Sequence, residues 1–127
     1  MLTEYEMQIR VRYDEADAMG FVHHANYFRY FEIGRTEMLR ASGGNYRQME
    51  EDGVLVVVVQ ATVNFRRPAH YDDMLTVRTK ISDIGFARIK HEYQIFRDHE
   101  QLTDAKLTLA VIDRQGNVQK VPDWMRA

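Results

Sequence analysis

The chain predicts an α+β protein in which one antiparallel sheet of five strands carries one long helix on its apolar face. Three observations lead there. The opening segment alternates with period two. The next patterned segment repeats at helical spacing. Four further alternating segments then follow in succession, joined by short links. A sheet with one apolar face must bury that face against another layer, and a single long amphipathic helix supplies it.

Each element has a local reason. Tyr5, Met7, Ile9, Val11 and Tyr13 alternate with Glu6, Gln8, Arg10 and Arg12, the pattern of a half-buried strand. From Ala25 to Ala41 the period changes, and Phe28, Phe31, Met38 and Leu39 can share one helical face. Asn26 is of a type that caps helix N-termini. Ser42-Gly43-Gly44 is a stop signal, because glycine takes the left-handed conformation at little cost. A second, short helix is expected over Tyr46 to Glu51. Val54 to Val59 is dense in β-branched residues, Ala61, Val63 and Phe65 alternate after it, and Pro68 ends the run. Leu75 to Ile81, Ala87 to Ile95 and Ala105 to Val111 give the last three strands. Ile84-Gly85-Phe86, Asp98-His99-Glu100 and Gln115-Gly116-Asn117 are the expected turns, so the late strands should form antiparallel hairpins.

Composition narrows the function. A chain of 127 residues is expected to be one domain, spanning 1–127. With 28% charged and 45% hydrophobic residues it has the balance of an ordinary globular protein. A formal net charge of −2 gives no basic excess for nucleic acid. The absence of cysteine removes disulfides, thiolate zinc sites and cysteine nucleophiles, and fits a reducing compartment. The acidic, alternating start is unlike a signal peptide. The longest purely apolar run, Val54 to Val59, is too short for a membrane-spanning helix. The expected location is the cytoplasm.

The chemistry concentrates between the first strand and the long helix, in Tyr13-Asp14-Glu15-Ala16-Asp17-Ala18-Met19-Gly20-Phe21-Val22-His23-His24-Ala25-Asn26-Tyr27. Asp17 precedes a helix start, where backbone N–H groups lack partners and the helix dipole is positive. Gly20 allows close backbone approach, and Met19, Phe21 and Val22 are expected to desolvate the carboxylate. The competing assignment is a turn aspartate that satisfies local N–H groups. Asp14 and Glu15 read as solvated or capping groups. His23 and His24, adjacent in the chain, make a poor chelate, although with Asp17 they define a zinc hydrolase as one alternative. Glu32 is the rival catalytic carboxylate, against an ordinary ion pair with Arg35 and a solvated Glu37. Ser42 and Ser82 lie in no nucleophile elbow, and no phosphate-binding glycine loop occurs. Arg66, Arg67, Arg88 and Lys90 are the basic positions best suited to an anionic ligand, with Arg88 and Lys90 on one strand face; the competing assignment is a solvated outer face.

The segment Tyr13 to Arg40 resembles the N-terminal signature of hotdog-fold acyl-CoA thioesterases. It is most similar to the 4-hydroxybenzoyl-CoA thioesterase branch and, within it, the small bacterial enzymes encoded with the Tol-Pal envelope system. The similar residues are Asp17 to Val22, His24 to Tyr27, Glu32 to Arg40, and Arg67-Pro68-Ala69-His70-Tyr71-Asp72-Asp73-Met74-Leu75. The resemblance implies a sheet wrapped around the helix, edge-to-edge homodimers that often assemble into tetramers, and a pocket completed by the second protomer. It places the catalytic aspartate at Asp17 and the N–H that polarises the thioester carbonyl at His24. Gly20, Val22, Asn26 and Tyr27 fall beside the substrate, and CoA lies along the subunit surfaces. Arg88 and Lys90 stand where its phosphates would be held, although Ile84-Gly85-Phe86-Ala87 replaces a basic cluster of some aromatic-acyl members. The implied reaction turns acyl-CoA and water into a carboxylic acid and CoA, with no metal or redox cofactor. The alternative from another class is a non-catalytic hotdog protein that binds acyl groups or a protein partner.

Overall fold

The alternation at the N-terminus becomes strand β1 (Glu4–Arg10), and the helical spacing becomes α1 (His24–Ala41). A short helix α2 (Tyr46–Glu51) follows, then β2 (Leu55–Phe65), β3 (Met74–Ile84), β4 (Arg88–Arg97) and β5 (Glu100–Ile112). This is a computed structural model, and it describes residues 1–126. The strands form one five-stranded sheet in the order β1-β3-β4-β5-β2, with every pairing antiparallel. This is the α+β arrangement of a hotdog fold: one sheet and one long helix. No described helix is long and apolar enough to cross a membrane.

Three local expectations are corrected. Strand β1 ends at Arg10, and Tyr13 lies in a 3-10 turn over Tyr13–Glu15. The reason is Glu15, whose carboxylate accepts the Arg12 N–H at 2.7 Å and turns the chain away from the sheet. The N-cap of α1 is His23, not Asn26: its Nδ1 accepts the Ala25 N–H at 3.2 Å. Asn26 instead donates from Nδ2 to the Glu15 carbonyl at 2.9 Å, tying the helix to the loop before it. The buried face of α1 is Tyr27, Tyr30, Phe31, Gly34, Met38 and Leu39, whereas Phe28 is 43% exposed on the flank. Phe31, Met38 and Leu39 lie in the stripe as expected, and Tyr27 and Tyr30 join it in place of Phe28.

Gly34 sets the depth at which α1 rides on the sheet. A Cβ there would stand 2.6 Å from Thr79 Oγ1 and 3.1 Å from Val77 Cγ1, so only glycine allows this approach. Around the contact, Phe31, Leu75, Val77, Tyr93, Ile95 and Leu102 are almost wholly buried. Each such side chain contributes roughly 1.5–3 kcal/mol by leaving water. A second cluster, with Leu39, Met49, Ile89 and Val111, closes the other end.

The helix lies nearest β1 and β3 and touches β2 through the His24 and Tyr27 rings against Phe65. Strand β2 stands at a sheet edge with its apolar residues uncovered: Val58 is 46% and Phe65 44% exposed. It is also not a hairpin neighbour of β3. It pairs with β5, and its register shifts at a bulge between Val58 and Gln60.

Candidate active site

The loop from Ala16 to His23 is fixed by short-range and cross-chain bonds. Gly20, at φ +82°, makes the turn possible. Nothing lies within 4 Å of a Cβ built on Gly20, so its role is conformational rather than one of close approach. The Asp17 N–H donates to the Phe21 carbonyl at 2.7 Å, and Gly20 N–H to the Asp17 carbonyl at 3.0 Å. The Val22 N–H donates to Ala69 at 2.9 Å, the Tyr71 N–H to Gly20 at 3.2 Å, and the His23 N–H to Glu15 at 3.0 Å. The segment 69–71 thus holds the loop from outside, and Glu15 holds it from within.

Glu15 is buried and not solvated, and of the two expected roles it takes that of a capping group. Besides the Arg12 N–H, its Oε1 accepts the Tyr30 hydroxyl at 2.9 Å. Burial and this neighbouring carboxylate push the Tyr30 phenol up. On the outer side, Asp73 accepts the His70 N–H at 2.8 Å and Arg97 Nη1 at 2.7 Å. Burial alone would raise the Asp73 carboxyl, but these two donors outweigh it and hold the group below its ordinary value.

Asp17 itself is exposed in the isolated chain, and Met19 beside it is 74% exposed. The expected apolar shielding by Met19 and Phe21 is therefore absent here, and Val22 turns into the core. One oxygen of Asp17 is committed: Oδ1 accepts the Met19 N–H at 2.8 Å and the Phe21 N–H at 3.1 Å. Among the described residues, Oδ2 accepts no hydrogen bond. The carboxylate is thus fixed in orientation by one oxygen and free at the other.

The helix start offers a complementary group. His23 uses its side chain for Ala25 and its carbonyl for Asn26. The His24 N–H, at the first helical position, donates to no acceptor among the described residues. His24 lines a cleft of about 320 Å³ together with Asp17, Phe21, Val22, His23, Tyr27 and Phe65 to Pro68. The His24 ring rests 4.7 Å from that of Phe65. The cleft thus joins the Asp17 carboxylate, the first residue of α1 and an apolar wall.

Of the residues singled out in the sequence, Asp17, Val22, His24 and Tyr27 meet in this cleft. Tyr27 is buried, with its hydroxyl accepting the Ala69 N–H at 3.2 Å. Gly20 and Asn26 shape the loop without lining the cleft. Arg88 and Lys90 lie on the outer sheet face, level with Ala110 and Thr108 of β5, whereas the cleft wall Phe65 is level with Thr103. Seven residues of strand separate Thr103 from Ala110, roughly 23 Å. Within one chain these basic residues do not reach Asp17. Arg66 and Arg67 do border the cleft, tethered to Asp104 at 2.6 Å and Glu100 at 3.4 Å. Phe65 was not foreseen as a site residue, because only the β2–β5 pairing brings it to the helix start.

The other carboxylates fall elsewhere. No salt bridge joins Glu32 to Arg35 among the described residues, although the Glu32 charge reaches the guanidinium and favours its charged form. The Arg35 guanidinium faces the Tyr93 and Tyr46 hydroxyls in the core. Glu37 pairs with Arg40 instead of standing free. No group of three His, Asp or Glu side chains converges on a metal-sized site among the described residues.

Comparison with known proteins agrees with this architecture. The family model of the thioesterase-like superfamily matches residues 11–127. The acyl-CoA thioesterase YbgC of Haemophilus influenzae is 34% identical over 112 residues, covering 86% of this chain and 81% of that protein. The acyl-CoA thioester hydrolase YbgC of Escherichia coli O6:H1 is 31% identical, covering 87% of this chain and 84% of that protein. Among solved structures, the DHNA-CoA thioesterase of Staphylococcus aureus superposes with a TM-score of 0.92 at 27% identity, over 98% of this chain and 88% of that one. The chain belongs to the thioesterase-like superfamily.

Proposed function

We propose that this protein hydrolyses acyl-CoA thioesters, with Asp17 and the His24 N–H as the reacting pair. The observation that carries the reading is that Asp17, with its free Oδ2, and His24, with its orphan N–H, line one cleft. A thioester carbonyl placed against that N–H gains a hydrogen bond as negative charge develops on its oxygen. Asp17 then acts in one of two ways. As a base it takes a proton from water, whose oxygen bonds the carbonyl carbon. As a nucleophile it forms a mixed anhydride that water later cleaves. In both routes the C–S bond breaks, the sulfur leaves with CoA and receives a proton, and the acyl group leaves as a carboxylic acid. This chemistry requires no metal or redox cofactor.

The working unit in this reading is a homodimer paired along the β2 edge, alone or doubled into a tetramer. The uncovered Val58 and Phe65 support it, since an exposed apolar edge is otherwise a site of aggregation. An antiparallel pairing of two β2 strands would bring the partner's Arg88 and Lys90 toward the cleft, where the CoA phosphates leave it. Val22 and Tyr27 would contact the acyl end, and Gly20 and Asn26 would hold the loop. A cytoplasmic location fits the cysteine-free composition and the acyl-CoA substrate.

A second reading, a non-catalytic acyl-binding protein, draws on the two N–H bonds that Asp17 accepts, since these alone account for an aspartate in this turn. Turnover of an acyl-CoA panel decides between them. Release of free CoA thiol from at least one member is expected, and binding without release would favour the second reading.

A further inference from the structure

The turn that carries Asp17 has few anchors of its own. The Asp17 and Gly20 N–H groups bond within the turn. Its outward bonds run from the Val22 N–H to the Ala69 carbonyl, from the Tyr71 N–H to the Gly20 carbonyl and from the His23 N–H to Glu15. Two of these three end in the loop that links β2 to β3. Phe21 also bridges His70 in antiparallel pairing, with the two rings 5.1 Å apart. That second loop is held in turn by Arg97, the last residue of β4. Arg97 Nη1 donates to the Pro68 carbonyl at 3.3 Å and to Asp73 Oδ2 at 2.7 Å, and it stands 3.2 Å from His70 Nδ1. The Pro68 and His70 contacts flank the Ala69 carbonyl that accepts the Val22 N–H. Asp73 Oδ2 also accepts the His70 N–H, so one carboxylate oxygen joins the guanidinium to the loop backbone. Nη2 donates to Glu100 Oε1 at 2.5 Å, across the β4–β5 hairpin. The other Glu100 oxygen lies 3.4 Å from Nε of Arg67, a cleft residue.

Building on the thioesterase reading, we propose that Arg97 is a positioning residue: through Asp73 and the segment 68–71 it holds the Asp17 carboxylate in place at the cleft. It does not line the cleft itself. Asp17 needs such support because its Oδ1 is tied to N–H groups of its own turn, so turn and carboxylate move together. A shift of the turn carries Oδ2 with it, and a displacement of about 1 Å can cost on the order of 10²-fold in rate. The pair is well placed to resist that shift. The Arg97 and Asp73 side chains are 27% and 21% exposed, against 38% and 49% for Arg78 and Glu6 on the outer sheet face. Water screens the first pair less than the second.

The test compares Arg97→Gln with Arg78→Gln, which removes an ion pair from the outer sheet face. Each is measured in two ways: hydrolysis of an acyl-CoA that the wild type turns over, and amide hydrogen exchange by mass spectrometry. Arg97→Gln is expected to lower kcat by roughly 10–100-fold with KM within about threefold. Exchange over residues 16–23 should quicken by about tenfold or more, while residues 77–81 of β3 keep their protection. Arg97→Lys, which retains the charge, should recover part of kcat. Asp73→Asn should resemble Arg97→Gln, and the double variant should lose no more than either alone, because a single unit is broken once. Arg78→Gln should move neither readout. Unchanged exchange over 16–23, or equal kcat losses in Arg97→Gln and Arg78→Gln, overturns the assignment. Exchange that quickens equally in β3 overturns it too, since Arg97 would then support the whole sheet. A wild type inert toward every acyl-CoA strikes the hydrolase reading, and the exchange data still decide whether Arg97 holds the loop.

Discussion

The two ends of α1 handle polar groups in opposite ways. At its N-terminus the carboxylate of Asp17 is exposed, and the His24 N–H has no acceptor among the described residues. Further along the same helix, Arg35 enters the core beside Tyr93 and Tyr46, and His91 lies beneath it at 2% exposure. Burial drives His91 down to about 3, with the Arg35 charge adding to the effect, and pushes Tyr93 up to about 12. The His91 and Tyr93 shifts therefore lie away from the cleft. Perturbed groups often mark functional sites, but structural polar clusters perturb them as well. In this fold the better pointer is a backbone donor without an acceptor, because it needs a ligand atom to complete it.

The contrast can be broken most directly at Asp17. Asp17→Asn keeps an oxygen to accept the Met19 and Phe21 N–H groups but removes the basic or nucleophilic atom. A fall in kcat of roughly 10²–10⁴-fold is expected with the melting temperature nearly unchanged. Glu32→Gln, on the helix flank, should change kcat little. If the Glu32 variant were dead and the Asp17 variant active, the site would have to move along the helix.

His24 sharpens the same comparison. His24 occupies the first helical position, where proline is accommodated, and His23 at ψ 140° suits a following proline. His24→Pro removes the N–H, and His24→Ala keeps it. The proline variant should lose roughly 2.7–4 kcal/mol of barrier stabilisation, whereas alanine should retain most turnover. Circular dichroism on both must show intact helix. Equal, near-total loss in the two would give the imidazole the essential role.

At the buried end the expected effect is on stability. His91 is neutral when folded, since its value of about 3 lies below its ordinary 6.5. The unfolded chain binds the proton first as pH falls, so stability present at neutral pH is lost below about 6.5 and the loss levels off near 3. Between pH 7 and pH 5 this group alone should remove about 2 kcal/mol. Urea unfolding at the two pH values measures it, and His91→Phe should flatten that dependence. An unchanged slope would mean that His91 is not the group responsible.

The smallest effect is expected at Gly34. Overpacking there typically costs roughly 1–3 kcal/mol, and the higher helix propensity of alanine returns about 1 kcal/mol. Gly34→Ala should therefore lower stability by about 1 kcal/mol in a denaturant titration. A stabilised variant would show that the helix lifts off Thr79 more easily than the 2.6 Å approach suggests.

Much of this was legible before any coordinates because it is local. Period-two alternation located all five strands, and Ser42-Gly43-Gly44 marked the helix end. What escaped depends on contacts between distant segments. Glu15 looks like any loop acid until Tyr30 is seen above it. Nothing near Phe65 announces that it meets His24, because that meeting follows from β2 pairing with β5. His23 was missed as a cap because histidine ranks low among capping types. The Gly20 turn was legible, but its reason was a positive φ rather than a close neighbour.

The sheet order also has a kinetic meaning. Strands β3, β4 and β5 form two local hairpins, so their ends meet at low loop-closure cost. Strand β1 must find a partner at least 64 residues away, as Arg10 does in Met74, and β2 must find β5 from across the meander. Contacts closed over such spans form slowly. Loop closure alone therefore predicts that the three-stranded meander forms first and the strands at either side join it afterwards. Asp17 reaches the cleft with the late-docking β1 side, and Phe65 reaches it with β2. The cleft is then among the last features to be assembled, and truncating Phe65 should speed unfolding far more than it slows folding.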